Sequence, residues 1–372
     1  MDPRSPVVVA ARRTPFGTAG GALRDVPVST LAAAVLRALC DGTGAQVDEV
    51  VLGNVMGPGG NPARIAALEA GLDVGVPGLS IDRQCGSGLE AITLAATLVR
   101  AGRASLVLAG GAESASTAPR RAYRGEPPQW YERAPFAPAG WDDPDMGVAA
   151  DRVAARAGVS RTRQDSYAAG SHARAVAAQA AGRFDDELVA VGGLDRDQRP
   201  RSGLTIERLR RFPAAFTAGG TATAANSCGI SDGAALVAVV PDSRRAGRPG
   251  LRLVDWVCAG VGVGEPGLGP VPATQQLLAR TGLTVDDLGV VEITEAFAGQ
   301  VLACLDALGI ERDRVCPDGG AIALGHPWAA SAAALVVRLF ARMVRDDGPR
   351  FGLATCGIGG GMGLSLLVER IA

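Results

Sequence analysis

The sequence predicts an α/β protein made of two similar halves, with a separate segment inserted in the first. Three observations carry that prediction. Short β-branched runs alternate with Ala- and Leu-rich helical stretches, the same order of elements returns in the last third, and the texture changes between residues 114 and 229.

Residues 6–11 (PVVVAA) form the first predicted strand. Ser29 then caps a helix over 29–40, whose Leu31, Val35, Leu36 and Leu39 share one face. Asp48 and Glu49 lead into a strand over 50–55. Residues 85–100 read as a second helix, and 105–109 (SLVLA) as a strand ending in Gly110-Gly111. Apolar strands of this continuous kind belong to a sheet covered on both faces.

Residues 117–145 are rich in Pro, Arg and aromatics and read as loop, whereas 146–181 read as helical. This segment interrupts a hairpin whose strands are 105–109 and 234–240. In the second half come a strand at 251–257, a helix at 272–281 and a strand at 290–294. A helix at 330–344 follows, then strands at 351–355 and 364–368. The pair VDEVVLGN and VDDLGVVEIT marks the duplication. The expected divisions are 1–114 plus 230–245, the insertion 115–229, and 246–372.

A chain of 372 residues, 47% apolar and 20% charged, has room for two or three full cores. Its net charge of −1 argues against a general nucleic-acid binder. All 37 basic residues are Arg, and aromatics make up only 4%, so the cores rest on Ala, Val and Leu. Seven Cys form no CxxC pair and there are only two His, which leaves no zinc-finger spacing and no expected metal. The odd Cys count suits reduced thiols. The first apolar run is too short for a signal segment, and the uncharged run 319–337 is too Gly-rich for a membrane span. The expectation is a cytoplasmic protein with no membrane or nucleic-acid partner.

Four stretches carry chemistry. Cys85, in DRQCGSG before a helix, sits where unpaired helix N–H groups stabilise a thiolate; the bland alternative is a small buried hydrophobe. His326, in GGAIALGHP, is either a base or orienting donor for a thiolate, or a core His with both nitrogens satisfied. His172, beside Arg174 on a helical stretch, reads as a surface residue. Thr294-Glu295-Ala296-Phe297 places a hydroxyl and a carboxylate at a strand end. Cys356 precedes Ile358 and the run Gly359-Gly360-Gly361, which leads into a strand and does not match a dinucleotide loop.

These blocks, in this order, resemble the thiolase family over nearly the whole chain. The likeness extends to VVVAARRTPFGTAGG, VDEVVLGNV, GNPARIAAL, LAGGAES, ISDGAALV and GPVPAT. The resemblance implies two five-stranded βαβαβαββ halves in a five-layer αβαβα arrangement, a loop domain inserted in the first half, and a homodimer or homotetramer. It also implies coenzyme A or an acyl-CoA as substrate, with no permanently bound cofactor.

By the same resemblance Cys85 is the nucleophile that takes the acyl group, assisted by its own backbone N–H at an oxyanion. His326 activates Cys85 and lines the oxyanion hole, and Cys356 is the candidate proton carrier. Thr294 stands where the family has Asn or His holding a water, with Glu295 behind it. Ser227, Cys228, Arg208, Arg210 and Arg211 complete the expected CoA-binding set.

Several departures bear on activity. Thr294 is shorter than Asn. Counted back from the three glycines, Gly357 occupies the family's Cys position and Cys356 lies one residue early; a one-residue slip turns a side chain to the other face unless a bulge restores it. Trp328, Ala329 and Ala332 reshape the start of the helix after His326. Asp145 replaces a His before Met-Gly, and Cys228 replaces a Ser. The leading expectation is therefore an acyl-CoA C-acyltransferase working through acyl-Cys85. The alternatives are an acyltransferase with an oxygen or nitrogen acceptor or a decarboxylating extender, and a non-catalytic CoA-binding subunit.

Overall fold

The computed structural model describes residues 2–43 and 46–372. Strand β1 (Pro6–Arg13) and the short β2 (Gly17–Thr18) precede helix α1 (Val28–Thr43), then β3 (Glu49–Gly53) and α2 (Pro62–Glu69). β4 (Gly78–Ile81), α3 (Ser87–Arg100) and β5 (Val107–Ser114) follow. Next come β6 (Arg121–Tyr123), β7 (Gln129–Tyr131), α4 (Met146–Arg156), α5 (Arg161–Ala180) and α6 (Ile206–Leu209). β8 (Ser231–Pro241) closes the first half. The second half has β9 (Gly250–Gly260), α7 (Pro270–Thr281), β10 (Val290–Ile293) and α8 (Ala298–Leu308). It ends with α9 (Ala321–Leu324), α10 (Trp328–Phe340), β11 (Phe351–Ile358) and β12 (Met362–Ile371).

The strands run in the order β4-β3-β5-β8-β1 and then β9-β12-β11-β10, with β2 beside β8. Each half repeats one pattern. β3 is parallel to β5 as β10 is to β11, and β5 is antiparallel to β8 as β11 is to β12. Even the irregularities match: the register shifts between Val8 and Ala10 in the β1–β8 pair, and between Leu367 and Val368 in the β12–β9 pair. The halves meet at their first strands, through Val7 opposite Arg252 and Val8 opposite Leu251.

The second half lacks a full fifth strand. Where β4 flanks β3, only Val315 bridges Val291. A tight turn at Arg312–Arg314 precedes Val315 and Cys316 follows with φ 44°, so the backbone leaves the sheet after one residue.

Three cores define the layers. α1 and α2 cover one face of the first-half sheet, and α7 and α8 one face of the second. Between the sheets lie α3 and α10, whose Leu89, Ile92, Ala96, Val336 and Leu339 share a single core with both. Small residues bring these two helices together. A Cβ on Gly88 would strike Ala329 O and come within 2.8 Å of Ala333 Cβ, and one on Gly111 would also strike Ala329 O. The loops ahead of α3 and α10 are thereby held side by side.

Several expectations shift. α3 begins at Ser87, because Gln84 takes a left-handed φ of 49° and Gly86 is the N-cap. The final helix ends in a π-helical turn, Ala341–Arg345. α2, started by Pro62 behind Asn61, and the part-exposed edge strand β4 give too little periodicity to be read in advance. His172 is not on the surface: it is 5% exposed, and its Nδ1 accepts a long bond from Arg201 N–H (3.4 Å).

Candidate active site

Cys85 sits in a turn tied by its own polar side chains. Asp82 accepts from Gln84 N–H (2.8 Å). Ser87 Oγ accepts from Arg83 N–H (2.8 Å) and donates to Gln84 O (2.6 Å). This bonding holds Gln84 left-handed, a conformation that costs a non-glycine residue free energy and recurs at functional turns. Gly86 presses on Ile358, whose Cδ1 a Cβ would meet at 2.5 Å, so the turn abuts the end of β11. Cys85 is part-exposed. The N–H groups of Cys85 itself and of Gly359 favour the sulfur's anion. Desolvation, with the charges of Glu113 and Asp82, nevertheless pushes the thiol up to about 12.

Glu113, at the end of β5, was not anticipated. It is fully buried and accepts from Asn54 Nδ2 (3.1 Å), Val55 N–H (3.1 Å) and Met56 N–H (3.0 Å). Burial raises its carboxyl to about 7 despite these donors. The LAGGAES block contained it, yet nothing in the sequence marks that Glu as buried beside the Cys85 loop.

The second half supplies the facing wall. Cys228 N–H donates to Ala296 O (2.9 Å) and Ser227 bridges Phe297, so the 226–230 stretch runs beside the strand-end block 294–297. Thr294 and Ser227 are 2% and 5% exposed, and neither hydroxyl has a hydrogen-bond partner. Buried unsatisfied hydroxyls are uncommon and suit a bound water or ligand. Glu295 is fully buried, accepting from Tyr167 Oη (2.9 Å), Ser171 Oγ (2.7 Å) and Ile322 N–H (3.2 Å). It fastens α5 to the stretch that precedes His326.

His326 is 5% exposed and donates its N–H to Gly229 O (2.9 Å). Its Nδ1 lies 2.6 Å from Ser331 Oγ, and Nε2 has no hydrogen bond among the described residues. A hydroxyl either donates or accepts, so Ser331 permits either tautomer. Desolvation lowers the imidazole to about 4, and it is uncharged at neutral pH. The part-exposed Cys228 lies within range of the charges of both Cys85 and Arg199; burial pushes its thiol up to about 12.

Cys356 is fully buried, in one core with Ala354 and Ile358, and desolvation raises its thiol strongly. The preceding residue, Thr355, faces the other way: its Oγ1 pairs with Ser365 Oγ, which pairs in turn with Thr274 Oγ1 of α7. The β11–β12 register runs unbroken from Phe351 to Ile358, so no bulge realigns Cys356. Gly357 is part-exposed and faces Pro266 and Gly267.

The structure thus brings Cys85, Cys228, Thr294, Ser227 and His326 to neighbouring loops. Arg208, Arg210 and Arg211 are exposed on and just after α6, where Arg208 Nη1 donates to Gly203 O (3.0 Å), and they share no bond with those loops. Among the described residues no group of three or more His, Cys, Asp or Glu is placed to hold a metal, and no helix is long and apolar enough to cross a membrane.

Comparison with known proteins covers both halves. Residues 6–243 match the thiolase N-terminal domain and residues 248–370 the thiolase C-terminal domain. The putative acetyl-CoA C-acetyltransferase YhfS of Bacillus subtilis is 44% identical over 371 residues, covering 98% of this chain and 99% of its own. The acetyl-CoA acetyltransferase of Pseudomonas aeruginosa is 40% identical over 390 residues, with 98% and 99% covered. The crystal structure of the Bacillus anthracis acetyl-CoA acetyltransferase superposes with a TM-score of 0.91 at 33% identity, covering 99% of each chain. Both halves match the family and the fold superposes over nearly the whole chain, so the chain belongs to the thiolase family.

Proposed function

We propose that this enzyme, an acyltransferase of the thiolase type, moves an acyl group from an acyl-CoA onto Cys85 and from there to carbon or to CoA sulfur. The carrying observation is the part-exposed Cys85 sulfur, within electrostatic reach of Cys228, next to which Gly229 O accepts the N–H of the uncharged, buried His326. His326 takes the thiol proton as sulfur attacks the thioester carbonyl. The Cys85 and Gly359 N–H groups are then within reach of the oxygen that becomes negative. Collapse releases CoA, which leaves as the thiol with the proton from His326, and acyl-Cys85 remains. A second nucleophile, CoA sulfur or the α-carbon of an acyl-CoA, completes transfer and frees Cys85.

In this reading Thr294, with its unpartnered hydroxyl, holds a water at the first carbonyl. Glu295 positions the block, and Ser227 and Cys228 meet the pantetheine arm. Arg208, Arg210 and Arg211 take CoA phosphates from the surface. CoA esters are substrates and no resident cofactor is invoked. The protein works as a homodimer or homotetramer in the cytoplasm, with its halves divided at 1–114 plus 230–245 and 246–372 around the insertion 115–229.

One observation favours a second reading. Cys356 is fully buried and the part-exposed position beside it is Gly357, so β11 offers no accessible proton carrier. An oxygen or nitrogen acceptor, or a decarboxylating extender, needs none. Acetoacetyl-CoA thiolysis by the wild type, Cys85→Ala and Cys356→Ala separates the two. Turnover in the wild type that Cys85→Ala abolishes supports C-acyl transfer. No turnover, with Cys85 gaining an acyl mass from acyl-CoA, sinks that version and leaves the other acceptor. No acylation at all overturns both.

A further inference from the structure

Arg199 is a charge beside the active-site loops that the mechanism above leaves idle. Its guanidinium lies flat on Gly229: a Cβ there would fall on Cζ and both terminal nitrogens. Its Cδ passes over Gly325, 3.1 Å from where a Cβ would sit. These glycines adjoin Cys228 and His326, and Gly229 O accepts the His326 N–H. The side chain thus covers the crossing of the two stretches that carry active-site groups.

Arg199 Nε is shut off from solvent and has no hydrogen-bond partner. Four other described arginines also have a buried, unpartnered nitrogen: Arg83, Arg174, Arg338 and Arg345. Arg83 is nevertheless anchored, its Nε ion-paired with Glu90 and its Nη1 donating to Cys258 Sγ, and the other three are held through another nitrogen, to Cys316 O, Glu187 and Ala11 O respectively. Among the described residues the Arg199 side chain has no hydrogen-bond or ion-pair partner. Its charged neighbour is Arg201, and the imidazole beside both, His172, is driven down to about 4 and carries no charge. A part-buried cation with no counter-charge is costly to hold in the folded chain.

Resting on the acyltransferase reading, we propose that Arg199 receives a carboxylate at the far end of the acyl group, so that the enzyme takes acyl-CoA esters of dicarboxylic acids. The planar guanidinium suits a two-point grip on a carboxylate. The CoA phosphates are the other anionic source, but they hang at the opposite end of the pantetheine arm from the thioester. Arg199 stands instead beside Cys228, on which the charge of Cys85 also acts.

Binding to the Cys85→Ala enzyme, measured by titration calorimetry, isolates the acyl end, because succinyl-CoA and butyryl-CoA share every CoA phosphate. Succinyl-CoA should bind about 100-fold more tightly, as expected where a site built for a polar group meets an analogue lacking it. Adding Arg199→Gln should collapse that ratio to about threefold or less, and Arg199→Lys should restore part of it. Retained binding of free CoA shows that these variants fold. Equal binding of the two esters overturns the proposal, as does a ratio that Arg199→Gln leaves unmoved or an equal loss for both esters. Thiolysis of 3-oxoadipyl-CoA and 3-oxohexanoyl-CoA by the wild type separates this from the parent reading. Cleavage of both at equal kcat/KM overturns the carboxylate subsite and keeps the reaction. Cleavage of neither, with the succinyl preference intact, keeps the subsite and overturns the reaction.

Discussion

Cys85 is expected to react as a thiol, not as a resident thiolate, and the pH dependence of its alkylation tests this. Two N–H groups favour its anion, but desolvation and the charges of Glu113 and Asp82 outweigh them and set its titration near 12. At pH 7 that leaves about one thiolate in 10⁵ molecules, against a few per cent for a free cysteine. Higher nucleophilicity of the more basic sulfur recovers part of the deficit, so alkylation by iodoacetamide should run about 100-fold slower than for an exposed thiol. With seven cysteines in the chain, the site must be followed by mass spectrometry of its own peptide. The rate should climb about tenfold per pH unit from pH 6 to pH 10 without levelling. His326→Asn should leave that slope untouched while slowing acylation by acyl-CoA about 10²- to 10⁴-fold, as loss of a general base does. A plateau below pH 8 would instead reveal a Cys–imidazolium pair and refute the neutral resting state.

Further expectations come from other buried groups. His172 and His326 are each lowered from 6.5 to about 4 by burial. Their contribution is present above pH 6.5 and lost as pH falls through 4, with about 3 kcal/mol at stake for each, so urea midpoints should drop steeply between pH 6 and 4. Glu113 has the opposite sign: raised from 4.5 to about 7, it stabilises below pH 4.5 and loses that as pH rises through 7. Glu113→Gln should therefore gain on the wild type by about 3 kcal/mol between pH 5 and pH 8, read from urea unfolding at each pH. Gly88→Ala should cost about 2–3 kcal/mol by overpacking the α3–α10 crossing and should slow Cys85 acylation as well; a fully stable, active variant would show that the close approach is not needed.

What the sequence revealed depended on how local each feature is. The duplication was legible because VDEVVLGN and VDDLGVVEIT lead into β3 and β10, buried strands whose continuous apolar runs need only neighbours in sequence to be recognised. Cys85 and His326 were legible from the glycine settings that bring α3 against α10. Arg13 was not: it is fully buried, bridging Glu187 and Asp197, while Arg338 of α10 joins Glu187 to Asp318. Charged residues far apart in the chain read as surface until the fold pairs them. His172 was misread for the same reason, since its surroundings come from the stretch that holds Arg199 and Arg201. Arg199 itself sits in a run of charged residues, DRDQRPR, where one unpaired guanidinium cannot be told from its neighbours.

The β11 terminus shows where sequence counting and structure have to be joined. Cys356 precedes Gly357, and only one of these two positions can face a given side of a regular strand. The pairing with β12 is regular, Cys356 opposite Leu364 and Gly357 opposite Gly363, so the slip relative to the family spacing is not absorbed. The Gly359 N–H still favours the Cys85 anion, which keeps the glycine run in register with the nucleophile. The backbone part of the site is thus maintained while the side chain expected there is withdrawn into the core with Ala354 and Ile358. Cys356 can exchange a proton with a substrate only if β11 shifts. If the strand stays as it is, any second thiol that serves the reaction has to be one with access. Both Cys228 and Cys356 lie within the electrostatic reach of Cys85, but only the part-exposed Cys228 meets that requirement.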